Sequence, residues 1–363
     1  MSIYLDYQAT TPLAPEARTA MLAWLDGGVN PHAAHAQARA ARAAIDLARE
    51  QVAALMPPGG KVYFTSGATE ALNWAIQSAR AEQQQIVTAR TEHSAVLNTV
   101  TVLATDHKVA MLPLLPDGIV DVARANRAIR PGTSLVAVML VNNEIGVIQP
   151  VDALAELASK VDAYILCDAV QGYGRVSLPQ SADYIAISAH KIHGPIGIGA
   201  LWVRDGAPLK PILHGGAQEG GMRPGTLSPL LVAGFGAAAA VMAARREEDA
   251  AHVQALAVKL RDALGPRWHI NGSVEQRYAG NLNVHRAGLD SARLMADVRE
   301  VSFSAGSACT SGAGGHSHVL RALGLSDEQA RGSIRLGFGR FTMHEEIERG
   351  AALLNTAAQA QGV

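Results

Sequence analysis

The distribution of hydrophobic residues between positions 61 and 204 predicts short strands separated by helices. Apolar or β-branched runs recur there as "KVYFTS", "QQIVTAR", "VAMLPLL", "SLVAVMLV", "AYILCDAV", "YIAISAH" and "GALWVR". Amphipathic stretches such as "ATEALNWAIQSARAEQ" and "VDALAELASK" lie between them. Strands that alternate with helices of this length are typical of a parallel sheet covered on both faces. We therefore predict an α/β domain with a mostly parallel seven-stranded sheet.

A second, smaller domain is predicted beyond the last of these strands. Residues 228–264 are rich in alanine and have no proline after Pro229, so we expect a helical connector there. Further along, "NLNVHR" and "GSIRLGFG" have strand patterns, whereas "SARLMADVRE" and "HEEIERGAALLNTAAQ" have helical ones. This mixture indicates an α+β fold. We expect a large domain at residues 15–255 and a small domain formed by residues 1–14 and 256–363.

Charge and composition narrow the classes of function. The chain has 363 residues, with 31 basic and 32 acidic side chains and no run of basic residues interleaved with aromatics, so we expect no nucleic-acid partner. The first residues, "MSIYLDYQATTP", do not resemble a signal peptide, and no apolar run is long enough to cross a bilayer. We expect a cytoplasmic protein with no membrane partner. The two cysteines, Cys167 and Cys309, have neither disulfide-framework nor metal-ligand spacing, and we expect no metal site.

The motif "FTSGATEALNWAI" passes from a strand into a helix through small residues. Backbone amides at such a junction can point at an anion, and the helix dipole favours negative charge there. The motif is therefore a candidate phosphate cradle, although an ordinary capped helix start has the same pattern. By contrast, "GPIGIG" at residue 194 has the wrong glycine spacing for a dinucleotide site.

Two charged residues at strand ends indicate cofactor chemistry. Lys191 follows the strand in "AISAHKIHGPIGIGAL", and Asp168 ends the strand in "YILCDAVQ". A partly desolvated lysine is nucleophilic, and a buried carboxylate needs a cationic partner. The pair suits pyridoxal phosphate, with Lys191 for the Schiff base and Asp168 for the pyridinium nitrogen. His93 and Asn143 also follow strands and would open onto the same crevice, although either is also compatible with a structural role.

The order of the motifs resembles a known family over nearly the whole chain. "YLDYQATTP", "FTSGATE", "TEHSAVL", "VNNEIGVIQP", "CDAVQ", "SAHKIHGPIGIGAL", "HGGAQEGGMRPGT", "SACTS", "VLRALG" and "SIRLGFGRFT" occur in family order. They closely resemble the cysteine desulfurases of the iron–sulfur-cluster and nitrogen-fixation type, which belong to the class V aminotransferases. The resemblance implies the fold type I architecture of pyridoxal-phosphate enzymes. It also implies conversion of L-cysteine to L-alanine, with transfer of the sulfur to Cys309 as a persulfide and then to an acceptor.

The resemblance further implies a role for each matching residue. Lys191, Cys309 and His93 would be catalytic, with His93 stacked on the cofactor ring, and Arg335 with Asn143 would bind the substrate. The residues implied to bind the cofactor are Ala68, Thr69, His93, Asn143, Asp168, Gln171, Ser188, His190, Lys191 and Thr226. Because Thr226 reaches across from the other subunit in the family, a homodimer is implied. Cys167, which lies in an apolar strand, is expected to be inert packing.

Some features leave the function open. After "SACTS" the chain reads "GAGGHSHVLRALG", and we expect His316 and His318 to be solvated surface residues. The chain ends at Val363, without the extension by which some relatives contact a scaffold. The acceptor therefore stays open among an iron–sulfur scaffold, a thiolation enzyme for transfer RNA, a sulfur carrier and free thiols in solution. The alternatives on the same fold are a selenocysteine lyase, a cysteine or cystine lyase, and an aminotransferase. A non-catalytic dimeric binding protein is the alternative from another class, and it predicts the loss of Lys191, Asp168 or Arg335.

Overall fold

The structure is a computed structural model that describes residues 2–27, 29–80, 84–104, 108–305 and 317–363. The strands in these ranges are β1 (Ile3–Tyr4), β2 (Gly60–Thr65), β3 (Gln85–Thr88), β4 (Lys108–Met111), β5 (Thr133–Met139), β6 (Tyr164–Asp168), β7 (Tyr184–Ser188), β8 (Gly199–Arg204), β9 (His269–Ile270), β10 (Asn281–His285), β11 (Val301–Ser302), β12 (Ser304–Ala305) and β13 (Ser333–Gly337). The α-helices are α1 (Pro15–Leu22), α2 (Ala36–Ala53), α3 (Ala68–Ala79), α4 (Ser94–Leu103), α5 (Val122–Ala125), α6 (Val151–Ser159), α7 (Pro229–Ala244), α8 (Arg246–Leu264), α9 (Ser291–Asp297), α10 (His318–Ala322), α11 (Asp327–Arg331) and α12 (His344–Ala360).

The large sheet has seven strands in the order β2-β8-β7-β6-β5-β3-β4. Its strands are parallel except β8, which pairs antiparallel with both β2 and β7. Each of the seven apolar runs forms one of these strands, so the predicted α/β architecture with a mostly parallel sheet is confirmed.

Alternation along the central strands explains why helices cover both faces of this sheet. In β5, Leu135 and Ala137 pack with the helices α3 and α4, whereas Val136 and Val138 belong to the opposite core, with α6 and α7. Every residue of β5 is buried. A strand that is apolar on both sides is stable only between two layers of helices.

The small domain contains a four-stranded antiparallel sheet in the order β12-β13-β10-β9 and a two-stranded parallel pair of β1 and β11. Its core includes Leu256 and Leu260 of α8 and Ile347 and Leu354 of α12. Strand β1 therefore ties the first residues of the chain to this domain.

The alanine-rich connector forms two helices that meet at an angle of 76°. The buried residues of α7 pack in the large-domain core, and those of α8 pack in the small-domain core, so the break near Arg245 lies between the two cores. Residue 255, the boundary predicted from the sequence, lies inside α8. Within the described ranges no single helix is long and apolar enough to cross a membrane; α7 and α8 together meet that test by length and composition alone.

Candidate active site

A cavity of about 500 Å³ opens where the parallel strands of the large sheet reach their carboxyl ends. The predicted site residues that line it are Ala68, Thr69, His93, Asn143, Asp168, Gln171, Ser188, His190, Lys191 and Arg335. Thr226 is exposed and does not line this cavity, and Cys309 lies outside the described residues. The carboxyl ends of parallel strands form one crevice, which explains why residues so distant in the sequence meet here.

Lys191 lies in a single turn of 3₁₀-helix, Ala189–Lys191, directly after β7. Its Nζ donates to the carbonyl oxygens of Gln8 at 2.5 Å and Ala9 at 2.7 Å. The backbone of Thr11 also donates to the carbonyl oxygen of His190 at 2.9 Å, so the chain start is fastened beside the lysine. The sequence analysis did not identify Gln8 and Ala9 as contacts of Lys191, because backbone carbonyls act independently of side-chain identity.

Asp168 ends β6 with its side chain facing the cavity and is only 5% exposed. Its Oδ1 accepts a hydrogen bond from the Val170 amide at 3.0 Å. Burial raises the pKa of Asp168, while that amide and the neighbouring His93 and Lys191 act in the opposite direction. A cationic group that lies against this carboxylate would therefore stabilise its charged form, which burial disfavours.

His93 begins α4 as its N-cap residue, and its Nδ1 accepts a hydrogen bond from the Ala95 amide at 3.1 Å. Burial lowers the pKa of His93; the charge on Asp168 opposes this, whereas Lys191 and His318 lower the pKa further. The ring is therefore neutral near pH 7, with its hydrogen on Nε2. Such a ring can lie against a flat ligand without adding a charge.

The strand-to-helix turn between β2 and α3 leaves a helix start open to the cavity. Its N-cap residue, Gly67, provides no side-chain hydrogen bond to the first turn, and Ala68 and Thr69 line the cavity. Gly199 of β8 lies directly against this turn: a Cβ on Gly199 would be 2.8 Å from the Gly67 Cα. Uncapped amides and the helix dipole together make a site for a phosphate group, and Ser188 lines the same end of the cavity.

Arg335 extends from β13 of the small domain into the wall of the cavity and is 3% exposed. Its Nη1 donates to the Asn143 carbonyl oxygen at 3.0 Å, and its Nη2 donates to Asp6 at 2.8 Å and to Ser304 at 3.1 Å. Its Nε is buried and has no hydrogen-bond partner. The guanidinium is thus held by residues of both domains, and these three bonds use three of its five N–H donors. Asp6 lies in "YLDYQATTP", but the sequence analysis did not identify it as a site residue.

Glu92 and His318 are two further residues whose positions the sequence analysis missed. Glu92 is fully buried, its Oε1 accepts from the Met139 amide at 3.0 Å, and burial raises its pKa well above the usual range. His318 was expected to be a solvated surface residue, and this is wrong: it is half-buried, and its Nε2 lies 2.9 Å from the Glu92 carbonyl oxygen. Because the contact joins positions 226 residues apart, no local sequence pattern indicates it. His316 lies outside the described residues.

The remaining predicted residues have other contacts in the structure. The Gln171 side chain donates to the Gln8 carbonyl oxygen at 3.0 Å and accepts from Arg175 at 3.0 Å. Cys167 is fully buried in β6, and burial raises its pKa well above the usual range, so it stays an inert thiol, as predicted.

These groups fit pyridoxal phosphate. An amine, a buried carboxylate and an uncapped helix start face one cavity, and they match the aldehyde, the pyridine nitrogen and the phosphate of that cofactor. Arg335 lies in the same wall, and its guanidinium suits a carboxylate ligand.

Comparison with known proteins agrees with this geometry. The family model described as aminotransferase class-V matches residues 3–349. The chain belongs to the class-V aminotransferase family. This family member is 41% identical over 361 residues to a mitochondrial cysteine desulfurase of Saccharomyces cerevisiae, covering 95% of this chain and 73% of that one. It is 40% identical over 370 residues to the cysteine desulfurase IscS of Rickettsia bellii, covering 98% and 90% of the two chains.

A solved structure gives the same result for the fold. The class-V family member matches a NifS-like protein with a TM-score of 0.90 and 29% identity, over 100% of both chains. The resemblance inferred from the ordered motifs and the predicted fold type are therefore confirmed.

Proposed function

We propose that the protein is a pyridoxal-phosphate-dependent cysteine desulfurase, which converts L-cysteine to L-alanine and passes the sulfur to Cys309. The observation that carries this proposal is the convergence of Lys191, Asp168 and Arg335 on one cavity. The names of the relatives support it, since both curated relatives are cysteine desulfurases that match almost all of this chain. A non-catalytic binding protein on the same fold would be expected to have lost at least one of these three residues.

The cofactor would be held by residues that already point into the cavity. Thr69 and the first amides of α3, with Ser188 and His190, surround the place for its phosphate, and Asp168 faces the place for its pyridine nitrogen. His93 would lie against the ring. When bound, pyridoxal phosphate supplies an electron sink for negative charge that develops at the substrate Cα.

The chain itself provides binding and proton transfer. Arg335 would bind the substrate carboxylate, with Asp6 and Ser304 holding the guanidinium in place. The Nζ of Lys191 is held at the cavity wall by the Gln8 and Ala9 carbonyl oxygens, in a position to take the Cα proton.

The Cys309 thiolate would then attack the substrate sulfur: the carbon–sulfur bond of the substrate breaks, a sulfur–sulfur bond forms, and alanine leaves after protonation at its Cβ. Support comes from both sides of the segment that contains Cys309. Ser304, just before it, bonds Arg335, and His318, just after it, contacts Glu92 beside the cavity. The described residues on either side of that segment therefore contact Arg335, which lines the cavity, and Glu92, which precedes the cavity residue His93.

We further propose that the protein is a homodimer in which Thr226 serves the cofactor phosphate of the partner. Thr226 is exposed and does not line the cavity of its own chain, as such a role requires. The sulfur acceptor would be an iron–sulfur scaffold or a sulfur carrier. We also propose that the protein is cytoplasmic, as expected from the sequence.

The test is to incubate the purified holoenzyme with L-cysteine and quantify alanine, sulfide and pyruvate, with mass spectrometry to locate a persulfide. Alanine in amounts equal to the sulfur released, with a persulfide on Cys309, supports the proposal. Pyruvate instead of alanine would identify a lyase, and activity restricted to selenocysteine would identify a selenocysteine lyase. Lys191→Ala should abolish alanine formation, whereas Lys160→Ala, at an exposed position, should not.

A further inference from the structure

A second cavity, of about 200 Å³, lies between the two domains, and we call it the interdomain cavity. It is lined by the first turns of α8, by the loop that follows β6 and by the segments next to β10 and β13. Arg175, Arg246, Arg277 and Arg340 all line it. Among the residues that the structure describes, Asp249 is the only carboxylate in its wall.

The single carboxylate is already shared by two cations. Asp249 Oδ2 accepts from Arg340 Nε at 2.8 Å and from Arg340 Nη2 at 2.5 Å. The other carboxylate oxygen, Oδ1, lies 3.5 Å from Arg245 Nε. Asp249 therefore neutralises little of the positive charge of the other arginines in the cavity.

Arg175 and Arg246 bond only neutral oxygens within the described chain. Arg175 donates to the Gln171 side chain at 3.0 Å and to the Lys191 carbonyl oxygen at 2.5 Å. Arg246 donates to the Ser177 hydroxyl at 3.1 Å and is otherwise exposed. Arg175 thus connects the interdomain cavity with two residues that line the active site.

Arg277 is held by backbone carbonyl oxygens. Its terminal nitrogens donate to the carbonyl oxygens of Ser273, Ile145 and Asn281 at 2.9–3.0 Å, and its Nε is buried with no partner. Burial lowers the pKa of Arg277 to about 10. These bonds to neutral carbonyl oxygens fix the guanidinium in the cavity wall without neutralising its charge.

His193, in the same wall, is also affected by two of these arginines. Burial lowers its pKa to about 4; the charges of Arg175 and Arg340 contribute to the decrease, against the opposing effects of the Pro12 carbonyl and Asp249. With four arginines and one carboxylate in its described wall, the cavity has an excess of positive charge, and its volume suits a group the size of phosphate.

We propose that the interdomain cavity binds a small oxyanion, held by Arg246, Arg277 and Arg340. Inorganic phosphate and small carboxylates share this chemistry, because guanidinium groups form paired, charge-assisted hydrogen bonds with both. The site is separate from the phosphate cradle at α3, so it does not depend on the proposed function. Its occupant would contact Arg175, which bonds the backbone of Lys191.

The test is a calorimetric titration of the holoenzyme, in which the cofactor occupies the cradle, with inorganic phosphate at constant ionic strength. Parallel titrations with sulfate and acetate distinguish a multivalent oxyanion from a carboxylate. We expect saturable binding with one site per chain. Arg246→Gln should weaken it by about tenfold or more, since a lost bond to a charged group costs at least that much. Arg331→Gln, at an exposed position outside the cavity, should leave it unchanged.

A second variant adds negative charge and leaves the side-chain bonds of the cavity intact. Ala250 is exposed, lies in the first turns of α8 and lines the cavity, so Ala250→Glu should abolish phosphate binding while the helix remains intact. The proposal is overturned if the titrations show no saturable binding, if both variants bind phosphate as the wild type does, or if binding disappears in Arg335→Gln, which would place the anion in the active site. The titrations measure anion binding without substrate turnover. Their failure is therefore distinguishable from a failure of the desulfurase assay, which measures product formation.

Discussion

The close approach of Gly199 to the phosphate cradle allows a quantitative prediction. A Cβ at this position would lie 2.6 Å from the Ile187 carbonyl oxygen and 2.8 Å from both Cα and the carbonyl carbon of Gly67. All three atoms belong to the backbone, so no side-chain rotation can relieve the contact. The Gly199 backbone is not left-handed, and Gly199→Ala therefore tests the close approach alone. Overpacking of this kind costs about 1–3 kcal/mol.

We expect this cost to fall on cofactor binding, because Gly67 holds the turn whose amides would receive the phosphate. A displacement worth about 1.4 kcal/mol weakens binding by about tenfold. The assay is absorbance titration of apoprotein with pyridoxal phosphate, alongside urea unfolding of the apoprotein. Gly27→Ala is the matched control, since the nearest atom to its added Cβ would be a valine methyl group at 3.6 Å. Wild-type cofactor affinity and wild-type stability in Gly199→Ala would refute the reasoning.

Three further predictions follow from the site and its surroundings. Arg335→Lys should raise KM for L-cysteine by about tenfold or more, with a smaller change in kcat, because the planar fork that receives the carboxylate is lost; an unchanged KM would remove Arg335 from substrate binding. Cys309→Ala should keep the yellow cofactor and its spectral response to L-cysteine but form no persulfide, and normal sulfide output would contradict the role of Cys309. His193 has a pKa of about 4 in the folded chain and an ordinary value near 6.5, so the unfolded chain binds more protons in this interval and stability falls as pH decreases from 6.5 to 4. His193→Asn, which tolerates the positive φ of 67° at this position, should remove about 2 kcal/mol of the difference in unfolding free energy between pH 7 and pH 5, and His214→Asn, at an exposed position, should not.

Much of the fold was predictable because local patterns coincide with tertiary requirements. Each apolar run of the large domain became a strand, and every residue of β5, β6 and β7 except Tyr164 is buried. Position in the chain also predicted the site in part. Asp168 and Lys191 lie at or just after the ends of parallel strands, and such ends form one crevice in any sheet of this type.

The sequence alone determined the sheet, the family and the residues with recognisable chemistry, since hydrophobic periodicity and ordered motifs are local properties of the chain. Only the tertiary structure decided the partners of those residues. These contacts all join positions that are distant in sequence: the carbonyl oxygens that hold Lys191, the Asp6 contact of Arg335, and the His318 contact of Glu92. The four arginines of the interdomain cavity are also brought together from distant positions. Backbone acceptors carry no residue-specific signal, and the charge balance of a cavity depends on which elements pack together, so neither can be derived from local patterns.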